Sequence, residues 1–515
     1  MRKLLAACLA IVMALTLTVP AFAAGEADVS TIGGADGPAM ISVTPFTLQP
    51  PAQEQIDAYL TARGGTPGQI NVMVDGKCVP FDRVYPALIS GRTMVPLRGV
   101  LEFLGARVDY DAATRTATVT GEAVSFTHVI GTDKITLGEG GGELTMDVAS
   151  AIQNGSTLVP LRFFSQTLGY DVFWDKDYRT AIVIDKAGFV ADFDKSFTIL
   201  NGYMAEQYKA LDLSKPLGGD VTFSADVKVI DSINGDQTYR ISGDFDMAMD
   251  EKAMNLSGKL ELGDMMKLWD AVVLPLTGEA APADLAGVLS PLTFDMIASG
   301  DRLYLKSPLI SYIMRESGYT VPSGEVWFTD ELEGLTELMA QYTQLMGQMK
   351  TMTFGGAIYE VFSMMGLYNS VLGYDALTQL AQFYQQMMGD DTWTRSGTTY
   401  KWHFGEKEFE KLMENMSGEK VSLAEAGITK YTIDMTLRQN GGMDMSMEMA
   451  GEGIKLTMKG SGTASKSSFT GSLQVQNICD VSFKIDTATR TGGQTLQTPP
   501  AGASVLSEAD LQKAA

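Results

Sequence analysis

Met443, Met445, Met447 and Met449 are the densest run of potential ligand atoms in this 515-residue chain. Thioether sulfur is a soft donor that suits Cu(I), so the run has the makings of a copper site. A period of two is also what one face of a β-strand requires, and nearby segments place Leu, Ile and Val at the equivalent positions, which reads as core lining. A third reading is a flexible apolar cavity, since methionine adapts to varied partners. Other chemistry is poorly supplied. Ser417-Gly418-Glu419-Lys420 has the spacing of a lysine-activated serine, but the Ser-Asp-Asn and Lys-Thr-Gly partners of such a site are missing. Gly138-Glu139-Gly140-Gly141-Gly142 lacks the Gly-Lys-Ser/Thr that completes a phosphate loop and reads as a flexible turn. His403 stands between Trp402 and Phe404 with no second histidine nearby, and the pair Asp244 and Asp246 falls on the solvent side of a strand pattern. The chain holds two histidines and three cysteines, too few for His-rich metal sites, zinc modules or a disulfide scaffold. No catalytic residue, cofactor or metal is expected.

Charge excludes a further class. Lys plus Arg number 39 against 62 Asp plus Glu, a net charge of −23, and no basic cluster stands out that could grip phosphates, so nucleic acid is not an expected partner. At the N-terminus, Arg2 and Lys3 precede the apolar stretch from Leu4 to Val19, then Pro20 and Ala21-Phe22-Ala23. That is the layout of a secretory signal peptide over residues 1–23. Cys8 lies at the start of the apolar run, with no room for a lipidation signal before it. Residues 24–69, rich in Gly, Pro, Thr and Ala, read as a linker. No later run is long and apolar enough for a spanning helix, so a secreted or envelope-associated protein is expected. Cys78 and Cys479 read as two buried thiols rather than a bridge.

The elements that must position any site begin with a repeat. At an offset of 64, Gly91, Thr93, Val95, Pro96, Leu97 and Arg98 fall on Gly155, Thr157, Val159, Pro160, Leu161 and Arg162. The match continues through Leu104-Gly105 and Leu168-Gly169 to Asp111 and Asp175. Each unit reads as a short strand, a proline at a helix start, a helix with apolar three-and-four spacing, a glycine stop and a hairpin. Pro96, Arg98, Gly105, Pro160, Arg162 and Gly169 are therefore expected to be structural, with the arginines hydrogen-bonding local carbonyls at a helix start.

Gly91-Arg92-Thr93-Met94-Val95-Pro96-Leu97-Arg98, Leu104-Gly105-Ala106 and Asp109-Tyr110-Asp111 together resemble the copper amine oxidase N-terminal-like, or stalk, domain of secreted bacterial proteins. The resemblance covers residues 70–186 and implies a small antiparallel sheet round a helix and a place in the cell envelope. It does not imply oxidase chemistry, which in that family needs three copper-ligating histidines in a separate catalytic domain. Gly33-Gly34-Ala35-Asp36-Gly37-Pro38 is similar to a motif of sodium-pumping decarboxylase membrane subunits, without the multi-span context that gives the aspartate its role there.

Beyond residue 187 the pattern alternates. Val221, Phe223, Ala225, Val227 and Val229 share one face, as do Phe245, Met247 and Met249, then Met435, and Met443 to Met449. Strands from Tyr431 to Ile485 make a five-strand meander, and helical spacing fills a stretch at about 331–389. The expected fold class is α+β: an N-terminal tandem strand-helix-hairpin repeat domain, then, over 187–515, a large curved antiparallel sheet with helices on one face. The second part loosely resembles half-barrel lipoprotein carriers. The candidate apolar-ligand face comprises Phe245, Met247, Met249, Met435, Met443, Met445, Met447 and Met449. Expected partners are a lipid or other apolar ligand and a cell-wall or envelope component; a purely structural or interaction protein with a packed Met-rich core is the alternative.

Overall fold

The computed structural model describes residues 53–511 except 122–123, 139–140, 210–214, 231–234, 251, 273, 275–277, 279–283, 338–350 and 493–494. The signal peptide, Cys8, the Asp36 motif, Gly140 and residues 338–350 of the expected helical stretch lie outside the described residues. The chain divides into two compact units, one made of 42–198 with 353–390, the other including 199–352 and 391–515. As expected, the fold is mixed α+β, with small N-terminal sheets and one large C-terminal sheet.

In the first unit each repeat starts with a strand that ends in proline, Arg92–Pro96 or Ser156–Pro160. Pro96 and Pro160 have φ of −58° and −63°, already suited to a helix, and lack the N–H that a helix start leaves unpaired. The chain therefore turns directly into Leu97–Phe103 and Leu161–Thr167, which bury Leu97, Val100 and Leu101, and Leu161 and Phe164. Gly105 and Gly169 follow at φ +82° and +90°, left-handed backbone that favours a residue without Cβ. The hairpins Arg107–Asp111 with Thr116–Thr120 and Asp171–Asp175 with Thr180–Ile184 complete the units.

The two repeats interlock. Ser156–Pro160 pairs antiparallel with Arg92–Pro96, setting Val159 opposite Val95. Asn71–Val74, which precedes the first repeat, pairs parallel with Thr180–Ile184 at the end of the second. A single core joins Val95, Leu101, Val119 and Phe126 to Val159, Phe164 and Val183. Each such side chain contributes about 1.5–3 kcal/mol on full burial, and either half of the domain alone lacks three or four of these seven.

The stretch 353–390 corrects an expectation. Its helices Phe354–Met364 and Gly373–Met388 were expected among those on the face of the C-terminal sheet, yet they belong to the first unit. The reason is aromatic and polar complementarity with a helix just past the second repeat, Lys186–Asp194. Phe354 packs on Phe193 and Phe197 at ring separations of 5.8 and 5.0 Å. Tyr359 donates to Asp171 Oδ2 at 2.8 Å, and the Val371 N–H donates to Asp175 Oδ2 at 2.9 Å. Lys186 pairs with Glu360, and Arg63 with Asp375. The unit thus extends past the expected boundary at 186, to 198.

The second unit is built on a sheet of fourteen strands among the described residues. In spatial order it runs Trp393–Ser396, Thr399–Gly405, Ile428–Arg438, Met443–Gly451, Ile454–Thr463, Lys466–Val475 and Cys479–Thr491. It continues through Leu217–Val229, Gln237–Met249, Ala253–Glu261, Leu292–Ser299, Arg302–Lys306, Val326–Glu331 and Ser504–Ser507. All neighbours are antiparallel except the last pair. The meander from 428 to 491 and the earlier strands from 217 meet edge to edge, Phe223 opposite Ile485. Helix Glu406–Ser417 covers one end of the sheet, with Phe409 5.3 Å from Tyr431, and Pro308–Glu316 covers the other, where Ile310 joins Met296, Leu305 and Phe328.

Candidate functional site

Strand alternation and register decide which side chains share a face. One row of mutually opposed residues runs Trp393, Trp402, Met435, Met445, Gly460, Phe469, Ile485, Phe223, Gly243, Leu260 and Leu292 across eleven strands. The next row sets Phe404, Ile433, Met447, Met458, Gly471, Phe483 and Ala225 in line. Phe245 and Met443 lie in a row on the other side of the first, Leu437, Met443, Gly462, Ser467, Thr487, Val221, Phe245 and Gly258. All eight residues of the expected apolar face are therefore on one side of the sheet.

Their burial is uneven. Met249, Met435 and Met443 are buried at 9%, 6% and 8% exposure, whereas Phe245, Met247, Met445, Met447 and Met449 are only half-buried. The same intermediate exposure holds for Ile433, Met458, Phe483, Ile485 and Phe223. Side chains enclosed in a close-packed core lose nearly all access to solvent, so the face around Met447, Met458 and Phe483 is more open than at Met249, Met435, Met443 and Phe469.

Glycines shape the surface, a feature the sequence pattern does not announce. A Cβ on Gly460 would stand 2.5 Å from Cε1 of Phe469, and one on Gly258 would stand 2.6 Å from Cζ of Phe294 and 2.7 Å from Cδ1 of Phe245. Gly243 is covered in the same way by Phe223 and Leu260. The phenyl rings lie over the bare backbone of the neighbouring strand, as rings do over strand glycines. The face consequently has a low aromatic floor with flexible methionines beside it.

The opposite face is polar. Asp434, Ser446, Lys459 and Thr470 form one cross-strand row, and Thr436, Asp444, Ser461 and Ser468 another. Together with the backbone of Met445 and Gly460, which lies between the rows, they line an open groove of about 530 Å³. Asp434 accepts from or pairs with His403 Nδ1 at 2.7 Å, and Asp444 is paired with Arg438. Sequence reading assigned such carboxylates to solvent; alternation gave their side of the sheet but not the depression made by short hydroxyl side chains.

The remaining candidates resolve as local structure. Arg98 is exposed and faces Glu102 at 3.6 Å, so it makes an ion pair along its helix and not the expected carbonyl contact; Arg162 is also exposed. Ser417 Oγ donates to the Met413 carbonyl at 2.8 Å and accepts from the Glu419 N–H at 3.1 Å, at the end of its helix. Cys78 is buried, which pushes its thiol up to about 11, while Cys479 is only half-buried; both are free thiols. His128, unread in the sequence beyond being counted, is 1% exposed and touches Ser150 Oγ at 2.7 Å and the Lys134 carbonyl at 2.8 Å. Ser150 Oγ also accepts from the Gly131 N–H at 2.7 Å. The Lys134 carbonyl can only accept, so the proton of the neutral ring is on Nδ1, and Nε2 accepts from the Ser150 hydroxyl. The dyad has the spacing of a nucleophile and base, but both members are buried and committed to a loop.

Among the described residues no group of three or more His, Cys, Asp or Glu side chains converges as a metal site would. No described helix is long and apolar enough to cross a membrane.

Residues 73–183 match the family model of the copper amine oxidase N-terminal domain. The match covers both repeats, and the chain carries a domain of that kind. No curated protein matches the chain.

Proposed function

We propose that this chain is a secreted cell-envelope protein without catalytic function, in which the repeat domain engages an envelope or cell-wall component and the large sheet holds a lipid or other apolar ligand. The observation that carries the ligand reading is the half-open part of the apolar face, where Met445, Met447, Met458 and Phe483 keep intermediate exposure over a floor of flat-lying rings. Unbranched methionine side chains with a polarisable sulfur conform to alkyl chains of different shape, and the rings add area at low entropic cost. The export reading rests on the charged, apolar and small-residue sections of residues 1–23. The alternative, a structural or interaction protein with a packed Met-rich core, is favoured by the burial of Met249, Met435, Met443 and Phe469.

The test combines mass spectrometry of an organic extract of the purified protein, uptake of a hydrophobic dye, and Met447→Ala. For an open site, extracted lipid or dye binding is expected, and Met447→Ala lowers dye uptake while costing about 1 kcal/mol, below the 2–5 kcal/mol of a buried Met→Ala change. Absence of lipid and dye, together with the full core cost, would sink the ligand reading. N-terminal sequencing of secreted protein that found Met1 retained would sink the export reading.

A further inference from the structure

The polar groove lies on the face of the sheet turned away from the apolar site and has its own chemistry. Elsewhere on this face some polar groups answer one another: Lys455 pairs with Glu448 at 3.0 Å, Lys484 with Asp486 at 2.7 Å, and Thr457 with Ser472 at 2.8 Å. Among the described residues, Lys459 has no carboxylate within ion-pair distance, and the hydroxyls of Thr436, Ser446, Ser461 and Thr470 have no hydrogen-bond partner. Ser468 donates its hydroxyl to Asp486 at 2.6 Å and so keeps its lone pairs for a donor. The two carboxylates in the lining are already engaged, Asp444 by Arg438 and Asp434 by His403. What the groove offers a ligand is thus one unanswered ammonium within a ring of hydroxyl donors and acceptors.

The dimensions follow from sheet geometry. Four strands at their usual spacing make the groove about 14 Å long, and two residues along a strand set its polar rows about 6.8 Å apart. The floor between the rows is backbone, because the residues there, Met445 and Gly460, belong to a row that faces the other side of the sheet.

We propose that this groove binds a short saccharide bearing a carboxylate, with the carboxylate on Lys459 and the sugar hydroxyls on Ser446, Ser461, Thr436 and Thr470. A bare inorganic anion would use the lysine but is too small to reach all the hydroxyls of a groove about 14 Å long. A neutral sugar would use the hydroxyls and leave the lysine unanswered. Charge-assisted hydrogen bonds supply the directional part of recognition, and, because the groove is open, binding weakens as salt rises.

The experiment titrates the full-length mature protein at low ionic strength with an oligomer of glucuronate, with the same oligomer after reduction of its carboxyls, and with acetate, followed by saturation-transfer NMR. The uronate oligomer is expected to bind, the reduced form at least tenfold more weakly, and acetate is expected not to displace the oligomer. Lys459→Met should weaken uronate binding at least tenfold without moving the thermal midpoint, since Lys459 is exposed. Ser461→Val, which fills the groove with an apolar side chain, provides a second variant and should also abolish binding while dye uptake by the apolar face is unchanged. No signal from the uronate oligomer, equal binding by the parent protein and Lys459→Met, or displacement by acetate at equal concentration would each overturn the assignment. None of these results bears on the apolar ligand, because the two sites are on opposite faces and are read by different probes.

Discussion

Gly460→Ala tests how the floor of the apolar face is built. Gly460 is buried, and its Cβ would meet Cε1 and Cδ1 of Phe469 at 2.5 and 2.6 Å, with Cζ next at 3.5 Å. Carbon atoms in contact prefer about 3.5–4.0 Å, so the ring must retreat by about 1 Å or the strands must part. Phe469 is itself buried, at 8% exposure, and has little room to move. Overpacking of this kind costs about 1–3 kcal/mol. Phe469→Ala alone removes a buried ring and should cost about 3–5 kcal/mol. In the double variant the methyl group no longer meets a ring, and Ala is favoured over Gly in a strand by about 0.5–1 kcal/mol. The double variant should therefore be more stable than Phe469→Ala, with a coupling of about 1.5–4 kcal/mol between the two positions. Urea unfolding of the four proteins measures it, with the slope of the transition as a check that the unfolded states are comparable. If Gly460→Ala costs the same with and without the Phe469 ring, the ring does not lie over the glycine and the low floor is wrong.

Two further outcomes concern the first unit. Burial holds His128 below its ordinary 6.5; the unfolded chain then takes up the proton first as pH falls, so the contribution to stability is complete above about pH 6.5 and is lost below it. The urea midpoint should fall between pH 7 and 5 by more in the parent protein than in His128→Gln, and an equal fall in both would refute the coupling. Asp175 is buried and accepts from the N–H groups of Asp177, Tyr178 and Val371, whereas its counterpart Asp111 is exposed and serves only its own turn. Asp175→Ala should cost about 2–4 kcal/mol by leaving buried donors unpaired and should make 353–390 more sensitive to limited proteolysis, a response not expected of Asp111→Ala.

Much of this architecture was legible in the sequence because it is written in local periods. Pro96 and Pro160, Gly105 and Gly169, and the strands from Tyr431 to Ile485 obey rules that act over a few residues. The apolar face was legible for the same reason: a period of two assigns every methionine from Met443 to Met449 to one side. Partner choice was not legible. The helices Phe354–Met364 and Gly373–Met388 show apolar faces that would suit many surfaces, and only Tyr359 against Asp171 and Phe354 against Phe193 reveal which one they meet. The groove escaped notice because serines and threonines on a solvent face look alike whether or not they pair, and the missing pairs around Lys459 emerge only from the register.

The position of 353–390 also bears on how the chain reaches its native state. The first unit cannot be finished from its own N-terminal sequence, since Asp175, Tyr59 and Phe197 wait for Val371 and Phe354. The sheet waits longer, because Leu217–Val229 needs Cys479–Thr491 as a neighbour and Val326–Glu331 needs Ser504–Ser507. Pairings so distant along the chain are slow to form, since loop closure must precede the contacts that reward it. A chain still emerging from a ribosome or a translocation pore therefore lacks a complete first unit until residue 390 has been made, and lacks a complete sheet until Ser504–Ser507 follows. That delay would suit export in an unfolded state, and it would leave the apolar strands in need of protection until synthesis ends.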